Sequence, residues 1–497
     1  MTLPDACKEI EPYFKLSAEK LKEIVKYFRE ECEEGLLRYG EDVAMVPSFV
    51  PTVPTGSETG TFLALDLGGT NLRVCEVKLE GNHKFSQKQQ KYRVSEDLKE
   101  GEARVLFNYI ADSVDAFLTD FGSEIPMDEN EPLHLGFTFS FPVEQTALDA
   151  GKLLTWTKGF AAKHAVGNDV VRLLQDAFDR KHMHVCCSAL VNDVSGFTIS
   201  QASVFPPKSQ ADIQTVGTLL SRSYQNGPAL IGAIFGTGTN GAYIDKTSTI
   251  KKLGEEKIHK LEEGGADAGE YMVINTEWGA FDNRRRCLPV SIFDNKLDRE
   301  SINPRKQTFE KMVSGMYLGE ITRNILLYMI DLGELFEGYS TEVLNTHYGF
   351  DTSFVSYVEG AKDLAEVKKI IVNILKVKEK HISDRDAEIV LWACNMVALR
   401  ASYLSACAMA TVILHTEKNR RKEESKTIDV GVDGSVAQYL PGFEEKVREA
   451  LRLIIGEECA KHITIGLAKD GSGVGAALAA LTAKKAAETH KHRRMSK

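Results

Sequence analysis

The sequence predicts an α/β protein with more than one lobe, and three observations support this fold class. Apolar strand-like runs alternate with amphipathic helical segments along most of the chain. A short strand followed by a glycine turn occurs three times, at 62–71, 229–241 and 427–436. The chain has 497 residues, of which 43% are hydrophobic, and this suits two or three packed lobes better than a single core.

The periodicity of apolar residues predicts the elements in order. The spacing of apolar residues over 17–39 predicts an amphipathic helix that ends near Gly40. The high content of Pro, Thr and Gly over 47–60 predicts a linker. Strands are predicted at 62–65, 72–79, 133–139, 187–191, 229–235, 242–244, 271–275 and 427–432. Further helices are predicted at 102–120, 168–180, 308–331, 363–378 and 386–414.

Charge and cysteine usage argue against several classes of protein. The net charge of -10 disfavours nucleic acid as the main partner, because binding phosphates requires a basic face. The nine cysteines form no C-x-x-C pair and their number is odd, so we expect free thiols in a reducing compartment. The chain starts without the apolar core of a secretory signal, and residues 401–414 are typical of a buried helix rather than a membrane span. We therefore expect a cytoplasmic protein with no membrane partner.

The first glycine turn, DLGGTN at 66–71, follows an apolar strand. Its two glycines allow the backbone to approach a phosphate closely, and its N–H groups can point at the phosphate oxygens. Asp66 could hold Mg2+, directly or through water, because Mg2+ keeps several waters and takes few carboxylates. An ordinary hairpin turn between two strands is the alternative for this motif by itself.

The second glycine turn, GTGTNG at 236–241, matches the G-x-G-x-x-G pattern of dinucleotide-binding proteins. That pattern requires a helix after the third glycine, whereas residues 242–244 continue as a strand. A second phosphate-binding turn therefore fits better than a nicotinamide site. The chain contains no G-x-x-x-x-G-K-[ST] motif, which argues against a P-loop kinase. Turns at 433–435 and 470–475 could also face a nucleotide, although close helix packing explains the glycines of 470–475 equally well.

Polar residues follow several predicted strands, where α/β folds place their ligands. SFP (140–142) and WTKGF (156–160) follow the strand at 133–139, Asn192-Asp193 ends the strand at 187–191, and EWGAF (277–281) follows the strand at 271–275. Amides, hydroxyls and carboxylates of this kind can donate to and accept from the hydroxyls of a sugar. Any one of them could be a structural polar group, but their occurrence together with three glycine turns favours a site for a sugar and a phosphate.

The sequence resembles the hexokinase family over roughly residues 15–482. The strings that carry this resemblance are LALDLGGTNLRV (63–74), SFP with WTKGF (140–160), LVND (190–193), IFGTGTNGAY (234–243), EWGAFDN (277–283), NPRKQTFEKMVSGMYLGE (303–320), FDTSFVS (350–356) and VGVDGSV (430–436). EWGAFDN is most similar to the fungal glucokinase branch. The resemblance implies a two-lobed, actin-like (ribonuclease-H-like) ATPase fold with a cleft between the lobes.

The resemblance also implies a role for each matching residue. The residues that would hold the hexose are Ser140, Thr157, Lys158, Asn192, Asp193, Asn240, Glu277 and Glu310. Those that would line the ATP phosphates are Asp66, Gly68, Gly69, Thr70, Asn71 and Thr237, and those that would contact the nucleoside end are Thr352, Ser356, Gly434 and Ser435, with Lys91 also reaching ATP. Asp193 would be the general base towards the 6-hydroxyl, and Lys158 would neutralise charge near the transferred phosphoryl group. Asp66 would hold Mg2+.

One segment departs from the family pattern immediately after Asp193. In the family, LVND continues directly as TVGTL, whereas here residues 194–214 separate LVND from Thr215. A structureless loop of this length is uncommon inside a compact domain. We consider a family-specific loop and a translated intron, and favour the intron, because Val194-Ser195 can be encoded GTGAGT and Gln214 can be encoded CAG.

The expected division of the chain follows from these motifs. It comprises an N-terminal helix and linker over 1–56, a small lobe over 57–224 that includes 194–214, a large lobe over 225–483, and a basic, solvated tail over 484–497. The implied reaction is ATP-dependent phosphorylation of glucose at the 6-hydroxyl, the first step of glycolysis, with mannose and fructose left open as acceptors. The implied partners are a hexose, ATP and Mg2+, with the chain as a monomer or homodimer. A non-catalytic, hexokinase-like sugar sensor is the alternative.

Overall fold

The computed structural model describes residues 3–121, 131–157, 159–194, 211–262, 270–420, 427–468, 471 and 473–495. The helices are α1 Asp5–Ile10, α2 Ala18–Leu37, α3 Glu96–Glu100, α4 Ala103–Phe121, α5 Val170–Arg180, α6 Ala211–Asn226, α7 Glu255–Glu262, α8 Ile292–Glu300, α9 Thr308–Val313, α10 Gly315–Asp331, α11 Glu342–Asn345, α12 Thr352–Glu359, α13 Leu364–Ile370, α14 Asp384–Arg420, α15 Ser435–Tyr439, α16 Phe443–Ile455, α17 Glu457–Ala460 and α18 Gly473–Met495. The strands are β1 Val46–Pro47, β2 Thr59–Leu67, β3 Asn71–Gly81, β4 Lys84–Arg93, β5 Leu133–Ala147, β6 Ala150–Leu153, β7 Val185–Val194, β8 Ile231–Phe235, β9 Thr239–Lys246, β10 Tyr271–Asn275, β11 Ile428–Asp433 and β12 Ile463–Leu467.

These strands form two sheets with the same topology. In the N-terminal sheet, β4, β3 and β2 form an antiparallel meander. Strand β5 then pairs with β2 in parallel, and β7 pairs with β5 in parallel. Strand β6 pairs with the far end of β5. In the C-terminal sheet, β10, β9 and β8 form the meander, β11 and β12 continue it in parallel, and β1 extends the β10 edge. The repeated topology explains why the strand and glycine-turn pattern recurs in the sequence, since each sheet begins with the same hairpin. The predicted two-lobed α/β architecture is confirmed.

Helices α6 and α18 connect the two sheets. Helix α18 packs on β2, β5 and β7, α6 packs on β8, β9 and β11, and the two helices contact each other. Gly217 and Gly475 lie at their crossing, where a Cβ added to Gly217 would be 1.9 Å from the carbonyl oxygen of Gly471. Only glycine permits this approach. The packing explanation for the glycines of 470–475 is therefore supported by the geometry.

The C-terminal sheet carries the larger core, and the N-terminal helix belongs to it. Helix α2 begins at Ser17, whose side chain accepts from the backbone N–H of Lys20 at 3.2 Å, as an N-cap should. Its apolar face, with Leu21, Ile24 and Phe28, is buried in the same core as α14 and α16. The predicted helix at 17–39 is thus confirmed as packed structure, and its apolar face explains why the sequence shows the period so clearly.

Several predicted elements differ from the structure in extent, among them the strand at 133–139, which continues to Ala147, and the helix at 363–378, of which α13 covers Leu364–Ile370. The helix expected over 308–331 is two helices, α9 and α10, which Ser314 separates with an extended backbone conformation. The linker predicted over 47–60 overlaps β1 at Pro47, which pairs with Ile274 of β10, and overlaps the first two residues of β2. The tail expected to be solvated from residue 484 is instead the continuation of α18, where Lys484 pairs with Glu131 at 2.7 Å.

Helix α14 lies inside the large core. Its segment Asp384–Thr416 has 33 residues and, among the described residues, is the helix long and apolar enough to cross a membrane by length and composition alone. Within the fold, 89% of its most apolar stretch is buried. The prediction that 401–414 is a buried helix is confirmed. All nine cysteines are free thiols, also as predicted.

Candidate active site

The carboxyl ends of β2 and β7 lie level with the middle of β5, which is parallel to both, in the N-terminal sheet. Leu67 of β2 is level with Phe139 of β5, and Phe139 is level with Asn192 of β7. This register brings the first glycine turn, the backbone of Ser140 and the backbone of Asn192 and Asp193 to the same edge. The side chains of Ser140, Asn192 and Asp193 lie outside the described residues, as do Lys158 and residues 195–210.

The first glycine turn joins β2 to β3 as a tight hairpin. The Gly68 N–H donates to the carbonyl oxygen of Asn71 at 3.0 Å, and the Asn71 amide donates to the Thr70 hydroxyl at 3.1 Å. Thr70 and Asn71 are exposed and the two glycines are half-buried, so a phosphate could reach the turn from solvent. Gly69 lies between these bonded residues. The turn is therefore a hairpin, the alternative considered for this motif, and a hairpin turn is compatible with phosphate binding.

A row of charged side chains runs across the sheet beside this turn. Asp66 on β2 is the register partner of Arg73 on β3, and Arg73 is the register partner of Lys91 on β4. An Arg73 Nη2 donates to Asp66 Oδ2 at 3.1 Å. Lys91 is exposed at the end of the row. The sequence analysis assigned no role to Arg73, although the register of a hairpin places it opposite Asp66.

An aromatic cluster positions the loop that contains Thr157. The Trp156 ring packs edge-on to Phe141 at 4.8 Å and stacks with Phe160 at 5.4 Å. The Leu154 N–H donates to the carbonyl oxygen of Pro142 at 2.8 Å. The structure therefore places Thr157 next to the segment that carries Ser140, as the predicted hexose site requires.

The C-terminal sheet presents a buried polar cluster centred on Asn240. The Asn240 Nδ2 donates to Glu277 Oε1 at 3.0 Å and to Asn275 Oδ1 at 2.9 Å. Its Oδ1 accepts from the backbone N–H of Glu277 at 3.0 Å and from that of Gly241 at 2.7 Å. Asn240 is only 1% exposed. Asn275 belongs to this cluster but was not predicted, although it ends a strand as Asn192 does.

Two predicted acidic residues lie at this cluster, Glu277 as a member of it and Glu310 bonded to the residue before Asn240. Glu277 is 5% exposed and has a backbone φ of 58°, a left-handed conformation that is strained for a residue with a side chain. Glu310, at the start of α9, accepts from the Thr239 N–H at 3.0 Å and is also 5% exposed. Three of the predicted hexose ligands, Asn240, Glu277 and Glu310, are thus brought together although 70 residues separate the first from the last. Strain at such a cluster is typical of a binding site.

The second glycine turn meets the third at the carboxyl edge of the C-terminal sheet. Gly434 has a φ of 105°, and a Cβ there would lie 2.5 Å from the carbonyl oxygen of Phe235. Glycine is therefore required for the turn at 434 to pass beside Gly236. Thr237 is exposed at the tip of its turn, and Ser435 begins α15 next to it. The structure thus places the predicted contacts for phosphate and nucleoside side by side.

Helix α12 supplies the other predicted nucleoside contacts. The Thr352 hydroxyl accepts from the Gly319 N–H at 2.8 Å and donates to the carbonyl oxygen of Gly315. The Gly315 N–H in turn donates to the carbonyl oxygen of Gly236 at 2.6 Å. Ser356 lies one turn further along α12 and is half-buried. The amino ends of α10 and α12 are thereby tied to the second glycine turn.

Known proteins are similar to this chain over nearly its full length. Residues 6–203 and 230–482 match two models of the hexokinase family. The chain is 40% identical to a glucokinase of Aspergillus niger, with 94% of each protein covered. It is 37% identical to hexokinase-2 of Schizosaccharomyces pombe, with 97% of each covered.

A solved structure gives the same result. The hexokinase of Schistosoma mansoni complexed with glucose superposes with a TM-score of 0.72 at 34% identity, over 96% of this chain and 98% of that one. The first family match ends at residue 203, inside the predicted insert 194–214, and the second begins at residue 230. The gap between the two matches, 204–229, therefore contains part of the insert, 204–214, together with residues 215–229.

Proposed function

Because this chain belongs to the hexokinase family, we propose that it transfers the terminal phosphoryl group of ATP to glucose, forming glucose 6-phosphate and ADP. The observation that carries this is the buried cluster of Asn240, Glu277 and Glu310, which offers amide and carboxylate groups already held in place. Such a set can bind several sugar hydroxyls at once and can reject analogues that lack one.

We propose Asp193 as the general base that accepts the proton of the attacking 6-hydroxyl. Its backbone lies at the carboxyl end of β7, on the same edge of the N-terminal sheet as the glycine turn at 66–71. A carboxylate there can deprotonate the hydroxyl while phosphoryl transfer proceeds, and such assistance typically contributes about 10²–10⁴-fold. Lys158 is proposed to neutralise charge on the transferred group.

Phosphoryl transfer depends on positioning and charge stabilisation more than on covalent chemistry. The turns at 68–71 and 236–238 supply backbone N–H groups for the ATP phosphates, and Thr352, Ser356, Gly434 and Ser435 supply the nucleoside contacts. Two lobes that close around the sugar would exclude water, so that the terminal phosphoryl group of ATP is transferred to the sugar hydroxyl, with release of ADP, rather than to water.

The donor groups around Asp66 fit a magnesium ion. Mg2+ prefers oxygen ligands and keeps several of its waters, and Asp66 offers a partly exposed carboxylate at the mouth of the phosphate turn. We propose that Asp66 holds Mg2+, directly or through water, and that the ion neutralises charge on the ATP phosphates when bound. Arg73, bonded to the same carboxylate at 3.1 Å, fixes the orientation of Asp66.

The function is tested by measuring ADP release with a coupled enzyme assay and identifying the product by mass spectrometry. We expect ADP release that requires glucose and yields one glucose 6-phosphate per ATP. Glucose binding without ADP release would instead indicate a sugar sensor. A panel of glucose, mannose and fructose would establish the acceptor preference, and size-exclusion chromatography would distinguish monomer from homodimer. Cytoplasmic localisation is a further proposal, which fluorescence microscopy of the tagged chain would test.

A further inference from the structure

The helices that carry the nucleoside contacts, α12 and α15, are linked through the start of α10 at one end and through the residues that follow the two helices at the other. At the end near the phosphate turn, a Cβ on Gly315 would lie 3.2 Å from Val436 Cγ2, so the start of α10, bonded to Thr352, touches α15. At the other end, a Cβ on Gly360 would lie 3.8 Å from Pro441 Cγ. The carboxyl end of α12 therefore meets the link between α15 and α16.

A buried ion pair fastens that second end. The Lys446 ammonium donates to both carboxylate oxygens of Glu359, at 3.0 and 3.2 Å, and to the carbonyl oxygen of Pro441 at 3.0 Å. The Glu359 side chain is only 3% exposed. A single lysine thus joins the last residue of α12 to the first turn of α16 and to the segment that follows α15.

We propose that Glu359 and Lys446 are positioning residues for ATP, because their ion pair sets the distance between α12 and α15. Thr352 and Ser356 lie on α12, whereas Gly434 and Ser435 lie at the start of α15, so this distance determines whether both sides contact the nucleoside together. The inference rests on the proposed function, since it takes those four residues as the nucleoside contacts. Neither Glu359 nor Lys446 is a predicted ligand, and both act through the helices that they join.

The pair also makes nucleotide binding depend on pH. Burial raises the pKa of Glu359 to about 7, and the Lys446 charge opposes that rise. Among the described residues, the titratable groups known to face Glu359 are Lys446 on α16 and Cys394 on α14, whose thiol pKa is raised well above its usual value by burial. The thiol therefore stays neutral, and the proton that is lost or gained near neutrality belongs to Glu359.

The two pH effects have opposite signs, which separates positioning from stability. As the pH falls through about 7, Glu359 is protonated and the ion pair weakens, so the KM for ATP rises. Because the pKa is raised in the folded state, the contribution of Glu359 to stability is largest at low pH and is lost as the pH rises through the same value. A purely structural role would therefore show as higher folding stability at low pH, whereas a positioning role would show as a higher KM for ATP there.

The test compares wild type, E359Q, K446M and the double variant E359Q/K446M with the control E444Q. Glu444 is an exposed carboxylate on the same helix α16, where it accepts from Arg448 at 2.9 Å without contacting α12. KM for ATP, KM for glucose, kcat and thermal stability are measured between about pH 6 and pH 8, a range that brackets the titration. Binding of a fluorescent, non-hydrolysable ATP analogue is measured in parallel without sugar.

We expect E359Q and K446M to raise the KM for ATP and the analogue Kd roughly tenfold, while kcat at saturating ATP and the KM for glucose stay unchanged. E359Q should lose the pH dependence that wild type and E444Q show beyond the titration of ATP itself. The double variant, which leaves no unpaired buried charge, should regain stability without regaining ATP affinity.

Two results would overturn the inference: variants that lose stability but keep the wild-type KM and pH profile, or a wild-type chain that does not bind the analogue. The proposed function fails separately, if the analogue binds and responds to E359Q but glucose never elicits ADP release.

Discussion

The carboxyl edges of the two sheets have the same topology but hold their polar groups in different ways. At the C-terminal edge, the polar side chains bond to one another, since Asn240 alone bridges Asn275, Glu277 and the backbone of Gly241. At the N-terminal edge, the first glycine turn is exposed and the proposed base lies where β7 ends. At the edge of the C-terminal sheet the polar side chains are already fixed by hydrogen bonds to one another, whereas the edge of the N-terminal sheet presents its groups where strands end.

This difference predicts different consequences for substitutions at the two edges. Removing a member of the buried cluster leaves other buried groups without their partners, so stability and sugar affinity should fall together. Removing an exposed side chain from the N-terminal edge, such as that of Lys91, should leave the fold unchanged, so only substrate affinity or the chemical step should respond. Both halves of the fold contribute residues to the proposed sugar site, Asp193 from the first and Asn240 and Glu277 from the second, so the two halves share that site.

The largest effect is expected from Asp193→Asn at the N-terminal edge. The amide keeps the shape of the carboxylate but cannot accept the hydroxyl proton, so kcat should fall about 10²–10⁴-fold. Thermal stability and the KM for glucose should change little. Steady-state kinetics and thermal unfolding measure both quantities. A kcat near that of wild type would exclude Asp193 as the base.

The next largest effect concerns the segment that follows Asp193. Deletion of 194–214 should raise kcat, by up to about 10²-fold if the segment displaces Asp193 by an ångström. Because α6 begins at Ala211, deletion of 194–214 also removes the start of that helix. A second deletion, of 195–210, keeps the whole helix and is the matched control. A deleted chain less active than the full chain would contradict this prediction, and sequencing the mature transcript decides whether 194–214 is an intron.

Asn240→Ala tests the buried edge. It leaves the backbone N–H groups of Glu277 and Gly241 without the acceptor they now share, which should cost about 2–4 kcal/mol of folding free energy. The KM for glucose should rise roughly tenfold in the same variant. Asn373→Ala, at an exposed asparagine, is the control and should change neither. Loss of sugar affinity at wild-type stability would show that the hydrogen bonds of Asn240 do not stabilise the fold.

The smallest effect is expected from Lys91→Ala, at the exposed end of the charged row. Removing this cation should raise the KM for ATP about twofold to fivefold, and the difference should shrink with added salt because exposed charges are screened. Lys84→Ala, at the other end of β4, is the matched control. An effect of the same size at high salt would mean that Lys91 binds ATP in a protected site.

The sequence predicted the motifs of both edges but not the way in which their residues are connected. Glycine turns after apolar strands are visible locally, because the turn conformation restricts which residues fit. Arg73 and Asn275 were missed, since the importance of Arg73 comes from strand register and that of Asn275 from its contact with Asn240 on the neighbouring strand. The helix at 308–331 was predicted as one element, because the break at Ser314 adds no change in apolar periodicity.

The sequence by itself determined the α/β class, the positions of most strands and helices, and the resemblance to hexokinases, because periodicity and short motifs are properties of neighbouring residues. Only the tertiary structure decided that the two sheets repeat one topology, that Asn240 binds Glu277, and that Glu359 fastens α12 to α16. These features join residues that are distant along the chain. Their energies depend on burial and on geometry, which arise only when the sheets and helices pack.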